Sequence, residues 1–368
     1  MKPIRRMGTV LTTAGSAAVL TLAVGAPAQA ASTGWHTVFT THYGVATNYS
    51  AYQAVAAPGS DDAWAFGTTN EAGLPAPGRP VAESWNGTKW SSSPLPSGLS
   101  SSIQAVSFLS PSDGWAVTEV GGDVLHWNGS KWSVAEQIPA AGSDLLATGI
   151  TAVSDSDVWV FGASGAGPGL GTWHYDGQTW TQETGTVASG LALADAVSAT
   201  DIWAIGSTSS GPAGDALAHY NGTSWTLVKA TALNGLEFAD IQALSSTDVW
   251  AAAGAAQGGN EQLLHFNGSG WTSVKSPYPS ILLAFMAQDG QGGFWFDNGG
   301  LATNGTYSGK TWVVHYSASG QWSRAQLASG SMGPLALTPG TTSLWGAGRV
   351  ATKTPASDAR VWEYSPAS

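Results

Sequence analysis

The chain has 368 residues, including 19 Trp, 48 Gly and no Cys, and its formal net charge at neutral pH is −11. An acidic surface repels phosphate backbones and anionic lipid headgroups, so the charge argues against nucleic acid as a partner. The lack of Cys excludes disulfides, thiolate nucleophiles and thiolate metal ligands.

The first thirty residues have the pattern of a secretory signal peptide. Three cations precede an apolar run over residues 7–24, and Ala28-Gln29-Ala30 is a cleavage site of small residues. The run is short and interrupted, so we expect no membrane span after cleavage. We predict residues 1–30 as the signal peptide and a secreted, extracellular location. The sequence leaves open whether export follows the general or the twin-arginine route.

Two Trp motifs alternate along the remaining sequence. The first places Asp two residues before Trp in five copies, and two degenerate copies follow. Its Trp residues are 44 to 51 positions apart, at Trp64, Trp115, Trp159, Trp203, Trp250, Trp295 and Trp345. The second motif, typified by "FNGSGW", ends at Trp90, Trp132, Trp180, Trp225, Trp271 and Trp322. A repeat of roughly 40 to 50 residues is typical of β-propeller blades.

Each repeat reads as four short strands, which we name a to d in chain order. Strand a is an apolar segment such as residues 104–107, and strand b contains the first Trp motif. An Asn-Gly or Asp-Gly turn joins strand c to strand d, because both central residues of such a hairpin need positive φ. Strands a and b are apolar on both faces, so each small sheet must be covered on both sides, as in sheets stacked around an axis.

The seventh repeat ends in strand c at residues 361–365 and lacks a strand d. Residues 34–38 match the d strands of the other repeats, so we predict that they complete the last blade and close the ring. The predicted fold is therefore an all-β, seven-bladed β-propeller in one domain, residues 31–368. The predicted blades are 51–98, 101–141, 146–188, 191–232, 237–279, 281–329 and 333–366.

The "DVWAxG … HxNGxxW" pattern resembles the Trp-rich tandem repeats of secreted bacterial proteins that are grouped with kelch-like and galactose-oxidase-like propellers. The resemblance covers nearly all of residues 34–365 and implies the propeller fold, while leaving the function open. Copper chemistry of the galactose-oxidase kind would need a Cys–Tyr cofactor and clustered His ligands, which the sequence lacks. We therefore expect no cofactor.

The repeated Asp and His residues have a structural interpretation. We expect the Asp of the first motif to close the turn between strands a and b by accepting backbone N–H bonds. His126, His174, His219, His265 and His315 occupy one slot of strand c in five different blades, where they cannot converge on one ion, so no metal site is predicted. Each imidazole is expected to be half-buried with its N–H satisfied.

Residues that do not repeat are the better candidates for ligand binding, because the scaffold does not require them. The b–c and d–a connections of a propeller emerge on one face, here called the loop face, where ligand sites are usually built. Four cations lie in the long b–c connections of blades six, seven and one, or at their ends: Arg79, Arg349, Lys353 and Arg360. They form a candidate site for a carboxylate or sulfate group, although solvated loops carry charges without any such role.

A second candidate is a polar ring at the channel mouth. Gln53, Gln104, Thr151, Asp195 and Gln242 are aligned at one position of strand a, where they could bind sugar hydroxyls or solvate the channel. On the same face, Tyr278 and Tyr307 are candidate stacking platforms for a sugar ring. Glu261 is a loop charge that no repeat explains.

The sequence therefore predicts a secreted, monomeric, non-enzymatic binding module for an extracellular or cell-envelope glycan or for a protein partner. The alternative is a carbohydrate-active enzyme, a glycoside hydrolase or lyase, with an acid and a base from the b–c loops. The carboxylates available there are Glu71, Glu119, Asp215, Glu261, Asp297 and Asp358. No nucleophile or metal-spacing motif accompanies them, so no catalytic residue is assigned.

Overall fold

Short antiparallel strands joined by tight turns make up almost all of the described chain in the computed structural model. The structure describes residues 34–41, 49–70, 79–99, 101–138, 146–162, 169–185, 187–207, 216–255, 261–279, 281–298, 311–352 and 357–366. These residues form seven blades of four antiparallel strands, as predicted, with strand a innermost and strand d outermost. No helix within the described ranges is both long and apolar enough to cross a membrane.

The strands are numbered in chain order. Blade one contains β2 (Tyr49–Gly59), β3 (Asp62–Asn70), β4 (Arg79–Trp85) and β5 (Trp90–Ser93). Blade two contains β6 (Ile103–Ser110), β7 (Asp113–Thr118), β8 (Asp123–Trp127) and β9 (Trp132–Gln137). Blade three contains β10 (Gly149–Ser154), β11 (Asp157–Phe161), β12 (Trp173–Tyr175) and β13 (Trp180–Gln182). Blade four contains β14 (Leu191–Ser198), β15 (Asp201–Gly206), β16 (Ala216–Tyr220) and β17 (Trp225–Leu227).

Blade five contains β18 (Leu236–Ser245), β19 (Asp248–Ala255), β20 (Gln262–Phe266) and β21 (Trp271–Lys275). Blade six contains β22 (Ala284–Gln288), β23 (Phe294–Asp297), β24 (Trp312–Tyr316) and β25 (Trp322–Gln326). Blade seven contains β26 (Ser331–Leu337), β27 (Leu344–Ala351), β28 (Ser357–Ser365) and β1 (Gly34–Thr41). Two short 3-10 turns, Ala188–Gly190 and Thr231–Leu233, precede strand a of blades four and five.

The N-terminal strand completes blade seven, which confirms the predicted ring closure. β1 pairs antiparallel with β28 from Gly34 opposite Ser365 to Thr41 opposite Ala359, so the strand continues three residues beyond the predicted end. Trp35 reaches the gap towards blade six, where its ring lies edge-on to Trp295 with 6.0 Å between centroids. β1 therefore supplies both hydrogen bonds and packing, as every other strand d does.

Each gap between blades holds an apolar cluster built around a strand-b Trp of one blade and a strand-d Trp of the next. Trp159 and Trp225 lie edge-to-face between blades three and four, with centroids 5.6 Å apart at 85°. Trp345 and Trp90 do the same at 5.3 Å and 77° across the gap that closes the ring. Edge-to-face aromatic pairs are worth about 0.5–1.5 kcal/mol beyond the area they bury, so these contacts join the blades.

Strand a carries an extra residue relative to strand b near the end that faces the loop connections. The register shifts at this point in the a strands of blades one, two, four, five, six and seven. An extra residue of this kind is a β-bulge, which bends the strand and redirects a side chain. The bulges lie beside the central channel and determine which residues face it.

Candidate functional site

The repeated Asp binds side chains and does not close the turn between strands a and b. Asp157 Oδ1 accepts hydrogen bonds from His174 Nε2 and from Trp159 Nε1, both at 2.8 Å. The imidazole also stacks on the indole, with centroids 3.9 Å apart. The turn is closed by a hydroxyl, since Ser156 N donates to Ser154 Oγ at 3.3 Å. The predicted turn-closing role of this Asp was therefore wrong, whereas the satisfied and half-buried His was predicted correctly.

The same Asp–His contact recurs around the ring. The equivalent pairs in blades two, four and five are Asp113–His126, Asp201–His219 and Asp248–His265, at 2.8 to 2.9 Å. In blade six Gly293 stands at the motif position, and Asp289 binds His315 at 2.8 Å in its place. These pairs lie in separate blades, and the described residues contain no group of three side chains that could hold a metal ion. The pairs therefore hold strand b to strand c in blades two to five, and the a–b turn to strand c in blade six.

The five polar residues aligned from the sequence occupy two different positions in strand a. Thr151, Asp195 and Gln242 lie directly opposite the strand-b Trp of their blades. Gln53 and Gln104 lie three residues earlier and are the bulged residues of their strands. The single aligned position was therefore wrong: Gln53 and Gln104 lie 11 residues before the strand-b Trp, whereas Thr151, Asp195 and Gln242 lie 8 residues before it.

Thr151 and Asp195 tie neighbouring blades together. Thr151 Oγ1 donates to the carbonyl oxygen of Ala194 at 2.7 Å. The Asp195 carboxylate accepts from Ala196 N at 3.0 Å and from Ala243 N of blade five at 2.8 Å. Burial raises the pKa of Asp195 to about 6, although these two hydrogen bonds oppose the shift. Both side chains are committed to the scaffold, and neither lines the channel cavity.

A cavity of about 600 Å³ occupies the channel, and residues from all seven blades line it. Most of the lining comes from the first half of strand a and, in blade four, from the end of strand b, so the cavity lies towards the loop face. Residues at or beside the strand-a bulge of six blades, together with Thr148 of blade three, surround the cavity, and we call these seven residues the channel ring. They are Gln53, Gln104, Thr148, Ala192, Ala239, Phe285 and Pro334.

The channel ring has a polar side and an apolar side. Blades one to three contribute two amides and a hydroxyl, blades four and five contribute Ala, and blades six and seven contribute Phe285 and Pro334. Gln242 adds a third amide, whose Nε2 donates to Met286 O at 3.4 Å. Gln53 Oε1 is buried and has no hydrogen-bond partner among the described residues. One side of the cavity is thus lined by a residue with an unsatisfied acceptor, and the other side by an aromatic ring.

Phe285 is the one non-glycine residue of the described chain with positive φ, at 47°, and 40% of it is exposed. A left-handed backbone costs an L-residue about 1–2 kcal/mol. The next residue is held by Asp240, whose carboxylate accepts from Met286 N and from Ile241 N, both at 2.7 Å. Burial raises the pKa of Asp240 to about 7. Sequence reasoning missed Phe285 because nothing in "LLAFMAQ" distinguishes a bulged residue from a core residue.

The predicted cationic site does not assemble around its arginines. Arg360 lies opposite Gly348 in blade seven, so by the alternation of side chains along a strand Arg349 projects from the other face of the sheet. Arg360 donates to Thr40 Oγ1 and Ser329 Oγ, both at 3.1 Å, and burial lowers its pKa. Arg79 is exposed in blade one and lines a separate open cavity of about 690 Å³. Lys353 lies outside the described residues.

The remaining candidates are also placed away from the channel ring. A face of the Tyr278 ring is covered by the guanidinium of Arg324, which lies 4.5 Å from the centroids of both Tyr278 and Trp312. Glu261 is buried, and its carboxylate accepts from Leu283 N at 3.5 Å. Burial raises the pKa of Glu261 to about 7. Tyr307 lies outside the described residues, as do Glu71 and Asp215 of the enzymatic alternative.

Glu83 is a buried carboxylate that the sequence analysis overlooked. It is 4% exposed in strand c of blade one and faces the gap between blades seven and one. Two residues before the strand-c aromatic, every other blade has an apolar side chain: Leu125, Trp173, Ala218, Leu264, Val314 and Trp362. Burial raises the pKa of Glu83 to about 7. Comparing this slot across the seven repeats would have identified the residue.

Comparison with known proteins identifies the chain at the level of its fold, a Trp-rich seven-bladed β-propeller. No protein-family model matches the sequence, and no curated protein sequence matches it. Solved propellers do match, including YCF48 bound to D1 peptide, with a TM-score of 0.57 and 14% identity over 92% of this chain and 99% of that chain.

A second similar structure is the extracellular domain of BT4673, described as a hybrid two-component system, from B. thetaiotaomicron. Its TM-score is 0.56 at 10% identity, over 90% of this chain and 43% of that chain. At such identities the similarity shows the fold alone.

Proposed function

We propose that this protein is a secreted, non-enzymatic binding module whose ligand enters the channel cavity from the loop face. The channel ring carries this proposal. Its seven residues all lie at the loop-face end of strand a or just before it, yet their chemistry runs from amides to a strained, exposed phenyl ring. The strained backbone of Phe285 is unfavourable for folding, and its exposed side chain adds little packing in return. We therefore take Phe285 as a candidate for ligand contact.

A peptide segment of a partner protein suits this lining. The described lining contains no Arg, Lys or His, and the carboxylate of Asp240 already accepts two backbone hydrogen bonds. The amides of Gln53 and Gln104 complement the N–H and C=O groups of an extended peptide. Phe285 and Leu335 offer apolar contact for one of its side chains. The peptide bound to YCF48, which has a similar fold, supports this class of partner.

Three further features belong to the proposal. Export rests on the signal pattern of residues 1–30, which lie outside the described residues. A monomeric state is expected because the ring is closed by its own strand β1, which leaves blade seven with no missing strand. The non-enzymatic assignment rests on the lack of a nucleophile or metal motif in the sequence.

The test is selection of peptides from a displayed random library on purified residues 31–368, followed by calorimetric titration of the selected peptides. Phe285→Ala should weaken their binding about tenfold, because it removes an aromatic contact. Leu244→Ala is the matched control: Leu244 also lies in a strand a and is 38% exposed, but it does not line the cavity.

Two results would overturn the proposal. One is a library that yields no specific peptide, or peptides that bind Phe285→Ala as well as the unchanged protein. The other is release of reducing ends from any polysaccharide, which would establish the enzymatic alternative. Binding of a glycan at the cavity, in place of a peptide, would retain the binding module and reject the protein partner.

A further inference from the structure

A second cavity, of about 420 Å³, lies between blades two and three, away from the channel. Its walls include four aromatic side chains and two polar ones: Trp115, Trp173, Tyr175, Trp180, Glu136 and Gln178. Tyr175 and Trp180 stack on each other, with centroids 5.2 Å apart at 25°. We call this cavity the aromatic cleft.

Two departures from the commoner form of the repeat meet at the aromatic cleft, and each also occurs in blade seven, as a strand-d bulge at Val38 and as Trp362 in strand c. Strand d of blade two contains a bulge at Ala135, since the register between β8 and β9 shifts after the pair Val124–Glu136. Trp173 fills a slot that Leu occupies in blades two and five. The next gap along the ring differs from the cleft, because Tyr220 and Trp225, the equivalents of Tyr175 and Trp180, are buried there, at 9% and 8% exposure. Tyr175 and Trp180 are themselves only partly buried, so aromatic faces remain accessible.

Trp115, which lines the cleft, carries a hydrogen-bond donor without an acceptor. In blades three, four and five the strand-b indole donates from Nε1 to the Asp two residues before it, at 2.7 to 2.9 Å. In blade two Asp113 binds His126, but Trp115 Nε1 is buried with no partner among the described residues. Six strand-d indoles are also buried and unpartnered, whereas among the described strand-b indoles Trp115 alone is in that state. Leaving a buried donor unsatisfied costs about 1–3 kcal/mol.

Glu136 supplies the opposite polarity. Its half-buried carboxylate accepts a hydrogen bond from Gln137 N at 3.2 Å, which leaves lone pairs available for a ligand. The cleft therefore combines an N–H donor, a carboxylate acceptor and the amide of Gln178 with flat apolar walls. A cation would face the donor of Trp115, and an anion would face Glu136.

We propose that the aromatic cleft binds a neutral sugar ring of a glycan. The C–H face of a pyranose packs on an indole ring, and its hydroxyls act as both donors and acceptors. One hydroxyl accepts from Trp115 Nε1, and another donates to Glu136. This site lies between different strands from the channel ring and does not depend on the function proposed for that ring.

Neutral hexasaccharides test the proposal directly. Cellohexaose, xylohexaose, mannohexaose and chitohexaose are titrated at up to about 10 mM into residues 31–368, with intrinsic Trp fluorescence and calorimetry as readouts. At least one should bind saturably at one site, with a dissociation constant on the order of 1 mM or lower. Glu136→Gln should weaken that binding about tenfold, because it replaces a charged acceptor by a neutral amide.

The control variants separate this site from its surroundings. Glu183→Gln changes the equivalent carboxylate of blade three, beside a gap that Tyr220 and Trp225 fill, and should leave binding unchanged. Trp173→Leu installs the residue of blades two and five and should weaken binding about tenfold with the fold intact. Phe285→Ala should have no effect on sugar binding, which distinguishes failure here from failure of the channel proposal.

The proposal is overturned if none of the four hexasaccharides binds, or if binding survives both Glu136→Gln and Trp173→Leu. Equal weakening by Glu136→Gln and Glu183→Gln would also overturn it, because the effect would then be one of net charge. If Trp173→Leu lowers the melting temperature, the comparison of the two Gln variants decides alone, since both sites are at least partly exposed to solvent.

Discussion

Replacing Glu83 by Leu should stabilise the protein, and more so at higher pH. Burial raises the pKa of this carboxyl from its ordinary value of 4.5 to about 7. Below the ordinary value the group is protonated in both the folded and the unfolded chain, so it costs no stability there. Between pH 4.5 and 7 the folded state retains a proton that the unfolded chain releases, so the penalty grows with pH. Above pH 7 the folded state must bury the charge, and the full penalty is present.

The size of the effect follows from the two pKa values. Each pKa unit between the folded and unfolded states is worth about 1.4 kcal/mol, so the penalty at high pH is about 3 kcal/mol. The Leu side chain has a similar volume, and Leu125 and Leu264 fill the same slot in blades two and five with no exposure at all. Glu83→Leu therefore removes the penalty without overpacking the gap.

The assay is urea unfolding of the unchanged protein, Glu83→Leu and Glu83→Gln at about pH 4.5 and about pH 8.5. The stability gained by Glu83→Leu should be larger by about 3 kcal/mol at the higher pH, and Glu83→Gln should show the same pH dependence. Asp195, Asp240 and Glu261 titrate in the same range, but they are unchanged in all three proteins and cancel from the differences. An equal gain at both pH values would refute the argument from burial.

Two other substitutions and one deletion test the scaffold and the channel. Asp201→Asn should lower the free energy of unfolding by about 1–3 kcal/mol, because it weakens the charged hydrogen bonds to His219 and Trp203. Urea unfolding measures this loss. An unchanged free energy of unfolding would contradict the role of the Asp–His contact. Removing residues 34–41 should lower the melting temperature markedly by taking strand d from blade seven, and an unchanged melting temperature would reject the closure. Phe285→Gly should change the free energy of unfolding by less than about 1 kcal/mol, because relief of the strained φ offsets the backbone entropy that Gly adds to the unfolded chain. A larger loss in urea unfolding would mean that Phe285 is a core residue.

The blade count and the closing strand could be predicted because the same residues recur at a fixed interval. A strand-b Trp and a strand-d Trp meet in the gaps, so their spacing in the sequence reports the spacing of blades. The match of residues 34–38 to other d strands was equally direct, because each blade must contain a fourth strand. Packing that repeats seven times leaves a pattern that one sequence suffices to show.

The channel ring could not be predicted, because it depends on register. Gln53 and Gln104 were aligned with Thr151, although they lie three positions further from the strand-b Trp, where the bulge turns them towards the cavity. A shift of one residue in a strand moves a side chain to the opposite face, and composition does not record the shift. The Asp–His contact was overlooked for a different reason. An Asp beside a turn is readily explained as a turn-closing residue, so a side-chain partner 17 residues away, as in Asp157–His174, was not considered.

The departures from the repeat share an energetic property that separates them from chance variation. Phe285 is strained, Trp115 has an unsatisfied donor, and Glu83 buries a carboxyl group, so each is expected to cost the fold about 1–3 kcal/mol. Aromatic contacts in seven gaps, at about 0.5–1.5 kcal/mol for each pair, stabilise the ring enough to tolerate them. Two of the three, Phe285 and Trp115, line cavities in which the proposed ligands would contact them. Glu83 lines neither cavity, so its expected effect is on the pH dependence of folding, and its substitution should leave both binding sites unchanged.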